Sequence, residues 1–189
     1  MKILATCVLT LLPSLALAQD ISIRMADIPA GSWYMMDDAG RDTTHVFRGK
    51  KGRHYIYEMV SGKTTSGQVI FTDLRDASGN NVKRTFANGN VLTFKPHNCQ
   101  RVVGQCSFTE SGRKADGSKY VTKMVRVNTP KGKGFTFKQV AIASDGTQLP
   151  VRSGQIKALD KMGMLVRAKM TTHADNKTRS YKKRKASWD

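Results

Sequence analysis

Three dipeptides, Asn88-Gly89, Asp116-Gly117 and Asp145-Gly146, each adjoin runs in which apolar and polar residues alternate. A two-residue hairpin turn of type I′ needs positive φ at both central residues, which Asn or Asp followed by Gly tolerates. On that geometry Asn88-Gly89 sets Ala87 opposite Asn90, Phe86 opposite Val91 and Thr85 opposite Leu92. Asp145-Gly146 joins residues 139–144 to 147–152 with Ile142 opposite Leu149, and Asp116-Gly117 opens a strand over 118–128. Pro150 has no N–H to give a ladder, so its strand is expected to lie at an edge or to end early.

Alternation supports the segments between the turns. Tyr55, Tyr57 and Met59 share one face and His54 and Glu58 the other, while Phe135 and Phe137 oppose Thr136 and Lys138. Further strands are expected over 33–36, 44–47, 69–74, 81–87, 91–95, 100–103, 105–109 and 164–171. No segment has the caps and spacing of an amphipathic helix, residues 154–161 coming nearest. Many short strands at hairpin spacing make an all-β fold: a single antiparallel barrel or sandwich of about ten strands.

The first 18 residues read as an export signal. One cation, Lys2, precedes an apolar run, a Pro13-Ser14 break and Ala16-Leu17-Ala18, the order of a secretory leader cut after small residues. Cleavage is expected between Ala18 and Gln19. The apolar run is about half the roughly 20 residues a membrane-spanning helix needs, and no later stretch supplies one. Residues 19–173 then form the β domain, and 174–189 a basic C-terminal tail. The expected location is periplasmic or secreted.

Cysteine usage agrees with export. Cys7 leaves with the leader, and the remaining pair, Cys99 and Cys106, is expected to form one short disulfide. The pair is read as facing residues of a hairpin, with Gln100 opposite Gln105 and a turn over 101–104. Closing so small a loop stabilises by roughly 2.5 kcal/mol on the chain-entropy account. A redox-active pair would more usually be C-x-x-C beside a helix N-terminus.

Composition matters most as charge. Against 14 Asp+Glu, the 32 Lys+Arg less Lys2 leave the exported chain at +17. The tail contributes Lys177, Arg179, Lys182, Lys183, Arg184 and Lys185, and is read as mobile or as a frayed last strand. Apolar content of 39% is enough for a core, which sets the chain apart from basic disordered segments.

Catalytic signals are sparse. His45, His54, His97 and His173 show no metal-ligand spacing, and the aspartates mostly sit beside glycine, where a carboxylate caps its own turn. There is no G-x-S-x-G elbow, phosphate loop or dinucleotide fingerprint, so no cofactor or metal is expected. The one local cluster is Lys95-Pro96-His97-Asn98-Cys99-Gln100-Arg101, a disulfide-pinned loop expected to present His97, Asn98 and Arg101 for recognition.

These features describe an exported, non-enzymatic binding module that contacts an anionic envelope component, such as lipopolysaccharide, acidic glycan or phospholipid, through a basic surface. Nucleic acid would bind only non-specifically. Two alternatives remain: a β-barrel carrier enclosing a small apolar ligand, and a hydrolase with dispersed catalytic residues.

Overall fold

A computed structural model describes residues 24–100 and 102–189. The export signal over 1–18, Cys7 and Arg101 lie outside the described residues. A 3-10 turn, Met25–Asp27, precedes twelve strands: β1 (Trp33–Asp38), β2 (Arg41–Lys51), β3 (His54–Ser61), β4 (Val69–Arg75), β5 (Asn81–Phe86), β6 (Val91–Phe94), β7 (Gly104–Arg113), β8 (Lys119–Lys131), β9 (Gly134–Ile142), β10 (Gln148–Leu159), β11 (Leu165–Thr172) and β12 (Lys177–Ala186). Every strand pairs antiparallel with the next, and β1 pairs with β12, so the sheet closes into an up-and-down barrel. Closure leaves no unpaired edge.

The Asn-Gly and Asp-Gly turns form hairpins, but one residue out of the expected register. Phe86 N donates to Asn90 O and Gly89 N to Phe86 O, and Asp145-Gly146 repeats the pattern from Ala143 and Gly146. Gly89 and Gly146 adopt positive φ, at 84° and 85°, while Asn88 and Asp145 do not. Each loop therefore has three residues with a bulging glycine instead of two residues in type I′ geometry. The carboxamide or carboxylate caps the turn: Asn90 N donates to Asn88 Oδ1 and Thr147 N to Asp145 Oδ1. The resulting pairs are Thr85 with Val91, Arg84 with Leu92, and Gln148 with Ile142.

Two other expectations, on Pro150 and on the tail, are corrected. Pro150 lies inside β10, tolerated by a bulge between Pro150 and Arg152, because a barrel has no edge strand to confine it to. Residues 154–159, the nearest approach to a helix, continue that same strand. Residues 177–186 of the basic tail are β12, the strand that closes the barrel. Arg179, Tyr181 and Lys183 turn inward on it while Lys182 and Lys185 face water, an alternation hidden by the scarcity of apolar residues.

Cys99 and Cys106 are bonded, with Cα atoms 5.3 Å apart. Only Cys106 is in a strand, opposite Arg126 of β8; Cys99 and Gln100 belong to the loop after β6, and Gln100, Val102 and Val103 of the expected strand over 100–103 are not in one. The bridge thus ties the 95–103 loop to the barrel wall. Replacing both cysteines by serine is expected to lower stability by about 2–3 kcal/mol, read from urea midpoints, with the denaturant slope little changed.

The interior is divided. Under β1–β5, Tyr34, Phe47, Tyr57 and Phe71 pack with Met25 and Ile28 of the N-terminal segment, which is held to the β4–β5 turn by Met25 N donating to Ala77 O. Each such fully buried apolar side chain contributes roughly 1.5–3 kcal/mol. Under β8–β11 a smaller cluster, Phe135, Phe137, Ile156 and Ala168, lines the opposite wall. Outward, Lys123, Lys138 and Lys169 sit at exposed mid-strand positions, where each would cost about 2–4 kcal/mol at a bilayer midplane. Among the described residues no helix is long and apolar enough to cross a membrane.

Candidate functional site

The second half of the interior is not filled. A cavity of about 260 Å³ opens beneath β8–β11, at the end of the barrel framed by three loops: Gly79 of the β4–β5 turn, Gln100 of the disulfide loop, and Gly163 and Met164 of the β10–β11 turn. Phe135, Ile156, Leu165 and Met170 form its apolar wall, and three arginines, Arg75, Arg126 and Arg152, reach it; no Asp or Glu lines it.

Register explains how the cations come inside. Arg126 on β8 and Arg152 on β10 are both paired with Gln139 of β9, so the three side chains form one inward-facing row. On β8 the buried positions are Met124, Arg126 and Asn128, whereas Val121 and Val127 are 72% and 38% exposed. Arg126 is only 8% exposed. Its guanidinium lies 4.1 Å above the Phe137 ring, donates from Nε to Asn128 Oδ1 at 2.8 Å, and makes a long contact with Gln139 Oε1 at 3.4 Å. None of those partners is charged. Burial, and then the nearby Arg152 charge, pull its pKa down to about 10.

Asn128 is itself fixed, donating from Nδ2 to the carbonyls of Cys99 at 2.8 Å and Val102 at 2.7 Å. The disulfide loop, Asn128 and Arg126 therefore form one hydrogen-bonded chain. Arg75 is differently placed. Its Nη2 contacts Asp73 Oδ2 at 3.1 Å and its guanidinium covers Tyr57 at 3.6 Å, but its buried Nε has no partner. Arg152 makes no ion pair within 4 Å among the described residues. Glu110 lies in its field, its carboxyl raised by burial and held back by Tyr120, Arg152 and Arg84.

Of the loop expected to present recognition groups, His97 and Asn98 are described. His97 is half-buried, stacked on Phe108 at 4.3 Å, and its Nδ1 accepts from Cys99 N, which uses the ring to hold the loop. Asn98 is exposed; Gln100, two residues on, reaches the cavity. Of the basic tail, Arg179 pairs with Asp175, Lys183 with Asp160 and Asp189, and Arg184 with Asp37, while Lys182 and Lys185 remain outward.

The other histidines are dispersed. His45 is half-buried against Tyr34 and Tyr57, and His173 meets Ser153 Oγ at 3.2 Å. Among the described residues no three His, Cys, Asp or Glu side chains converge as metal ligands. Chemically, the cavity offers guanidinium donors, amides and an apolar wall. That set is chemically suited to pairing with an anion, and among the described residues the cavity lining contains no Ser, Cys, His, Asp or Glu. Comparison of the chain with protein-family models, curated proteins and solved structures gives no match.

Proposed function

We propose that the protein is an exported, non-enzymatic binding protein that takes an anionic ligand of the cell envelope into its barrel. The observation that carries this reading is Arg126: a guanidinium more than nine-tenths buried, lining a cavity, with only neutral partners. Burying an unpaired charge is costly, and an anion entering the cavity offsets that cost. Specificity for negative charge follows, because a neutral apolar guest would leave three arginines on the wall without gain. This changes the carrier alternative: the guest needs an anionic end as well as an apolar one.

Toluenesulfonate, a single-ring aromatic anion followed by calorimetry, is a suitable probe. It is expected to bind saturably at one site, and Arg126→Met to weaken it about 10- to 100-fold, the worth of one charge-assisted hydrogen bond of roughly 1.5–3 kcal/mol. The melting temperature should hold or rise, since methionine fills the space without a charge. Equal affinity in the variant would remove the cavity from the reading.

A second reading keeps the basic exterior. Arg113, Lys119, Lys123, Lys131, Lys138 and Lys169 have no carboxylate within 4 Å among the described residues, so β7–β11 present cations uncancelled by acids. Such a wall favours an anionic polymer or lipid surface, and its binding weakens steeply with salt. Retention on lipopolysaccharide that ignores Arg126→Met but vanishes at high salt would belong to this wall.

A further inference from the structure

We propose that the barrel cavity is a receptor for a phosphate-type dianion carried on a small apolar body, with Arg126 and Arg152 binding the head. The inference rests on the reading of the cavity as an anion site and names the class of anion.

The first argument is charge count. Arg126 and Arg152 lie on strands two apart, on either side of Gln139, so their backbones are roughly 10 Å apart and the long side chains can converge above it. Neither has a carboxylate partner among the described residues. A monoanion can pair fully with one guanidinium; a dianion can pair with both, the buried Arg126 and the exposed Arg152. Arg75 adds a buried Nε without an acceptor on the same cavity. Its companion acid, Asp73, is already committed to Arg75 and Arg84.

Geometry agrees. A guanidinium presents planar donor pairs that match phosphate oxygens, and such contacts are about twice as strong as neutral hydrogen bonds. Arg126 spends Nε on Asn128, which is anchored to the disulfide loop, so the rest of its fork is oriented before a ligand arrives. Less ordering is then needed on binding. Gln100 adds amide donors at the cavity.

The body follows from the remaining wall. Phe135, Ile156, Leu165 and Met170 supply an apolar surface, and about 260 Å³ lies just under the range of roughly 300–1,000 Å³ usual for small-molecule sites. That volume fits a single ring or one short chain and excludes a two-tailed lipid. Phosphate on such a body occurs both in fragments of envelope lipids and in soluble aryl phosphates.

Calorimetric titration of the purified protein at about pH 8 with octyl phosphate, octyl sulfate and inorganic phosphate separates head charge from body, because a phosphate monoester is dianionic above its second pKa of about 6. Octyl phosphate is expected to bind one to one, at least about tenfold tighter than either comparator. Arg152→Met should weaken octyl phosphate at least about tenfold and octyl sulfate by less, erasing the advantage of the first over the second. Arg152 is an exposed side chain, so the variant is expected to fold normally. At about pH 5 the monoester carries one charge and the advantage should shrink in the same way.

Equal affinity for octyl phosphate and octyl sulfate in the unaltered protein overturns the dianion and leaves the anion site standing. Failure of both alkyl anions and of toluenesulfonate takes down the anion site as well. Affinity that climbs steadily from butyl to octyl phosphate supports the proposal with a lipid-derived guest; phenyl phosphate binding above a flat alkyl series supports it with a soluble one.

Discussion

Asp73→Ala is expected to destabilise the barrel by about 3–5 kcal/mol, among the largest effects of any single substitution in it. Asp73 is fully buried on β4 and accepts from Arg84 through both oxygens, Nε to Oδ1 at 2.7 Å and Nη2 to Oδ2 at 2.9 Å. Arg75 shares Oδ2. Both cations also lie on aromatic faces, Arg84 on Phe71 at 3.7 Å and Arg75 on Tyr57 at 3.6 Å. Without the carboxylate, two guanidinium groups stay inside the barrel with rings but no anion. The cost comes from that stranded charge more than from the lost attraction.

A double-mutant cycle tests this account. Arg84→Met in the Asp73→Ala background should recover part of the loss, because it removes one of the stranded charges. Strictly additive destabilisation, or an Asp73→Ala cost below about 1 kcal/mol by urea unfolding, would show that the ion cluster is not what holds this wall. Asp73→Asn keeps the shape and removes only the charge. It is expected to fall close to the alanine variant, which would assign the effect to electrostatics.

How much of this was legible in the sequence depends on register. The hairpin fold was, because the Asp-Gly and Asn-Gly turns, the paired cysteines and the strand-length runs all agree with an antiparallel sheet. The inward face was not. In β8 the valines at 121, 125 and 127 alternate with Thr122, Met124, Arg126 and Asn128, so a hydrophobic-in pattern puts the valines in the core. The barrel does the reverse, with Arg126 and Asn128 buried and Val121 in water. A one-residue slip exchanges the faces of a strand, and the three-residue turns introduce such a slip relative to type I′ geometry.

The same reasoning explains the closing strand and the missed site. Cations on β12 read as a solvated tail, yet Lys183 reaches Asp160 at 3.0 Å and Arg184 reaches Asp37 at 2.9 Å, partners far away in the chain. Arg75, Arg126 and Arg152 come from β4, β8 and β10 and have no common spacing. The available signal was chemical: Asp-Gly and Asn-Gly pairs whose side chain caps the N–H two residues on, as in the bulged loop, would have set the register, and with it the inward arginines. Instead, the recognisable cluster at His97 proved to hold the loop whose carbonyls position Asn128.

Mild acid is expected to weaken the fold through His45. Its ring is stacked on Tyr34 at 4.5 Å and bonded through Nδ1 to the Tyr57 hydroxyl, which meets the Tyr34 hydroxyl at 2.8 Å. Burial, then the charges of Arg75 and Arg84, push its pKa from 6.5 down to about 3, with Asp73 opposing. The sign follows from proton counting. Between about pH 6.5 and pH 3 the unfolded chain binds a proton that the folded barrel refuses, so stability present at neutral pH drains away as pH falls. At about 1.4 kcal/mol per pH unit, the loss approaches roughly 3 kcal/mol by pH 4. His97, also lowered by burial, acts in the same direction. Because carboxylates elsewhere also respond to acid, the informative quantity is the difference between the protein and His45→Gln. Glutamine should cost stability at pH 7 and then lose less of it on acidification, so that the two urea midpoints converge toward pH 4. Parallel declines over that range would place the acid sensitivity in other groups and leave the His45–Tyr57 contact with a packing role alone.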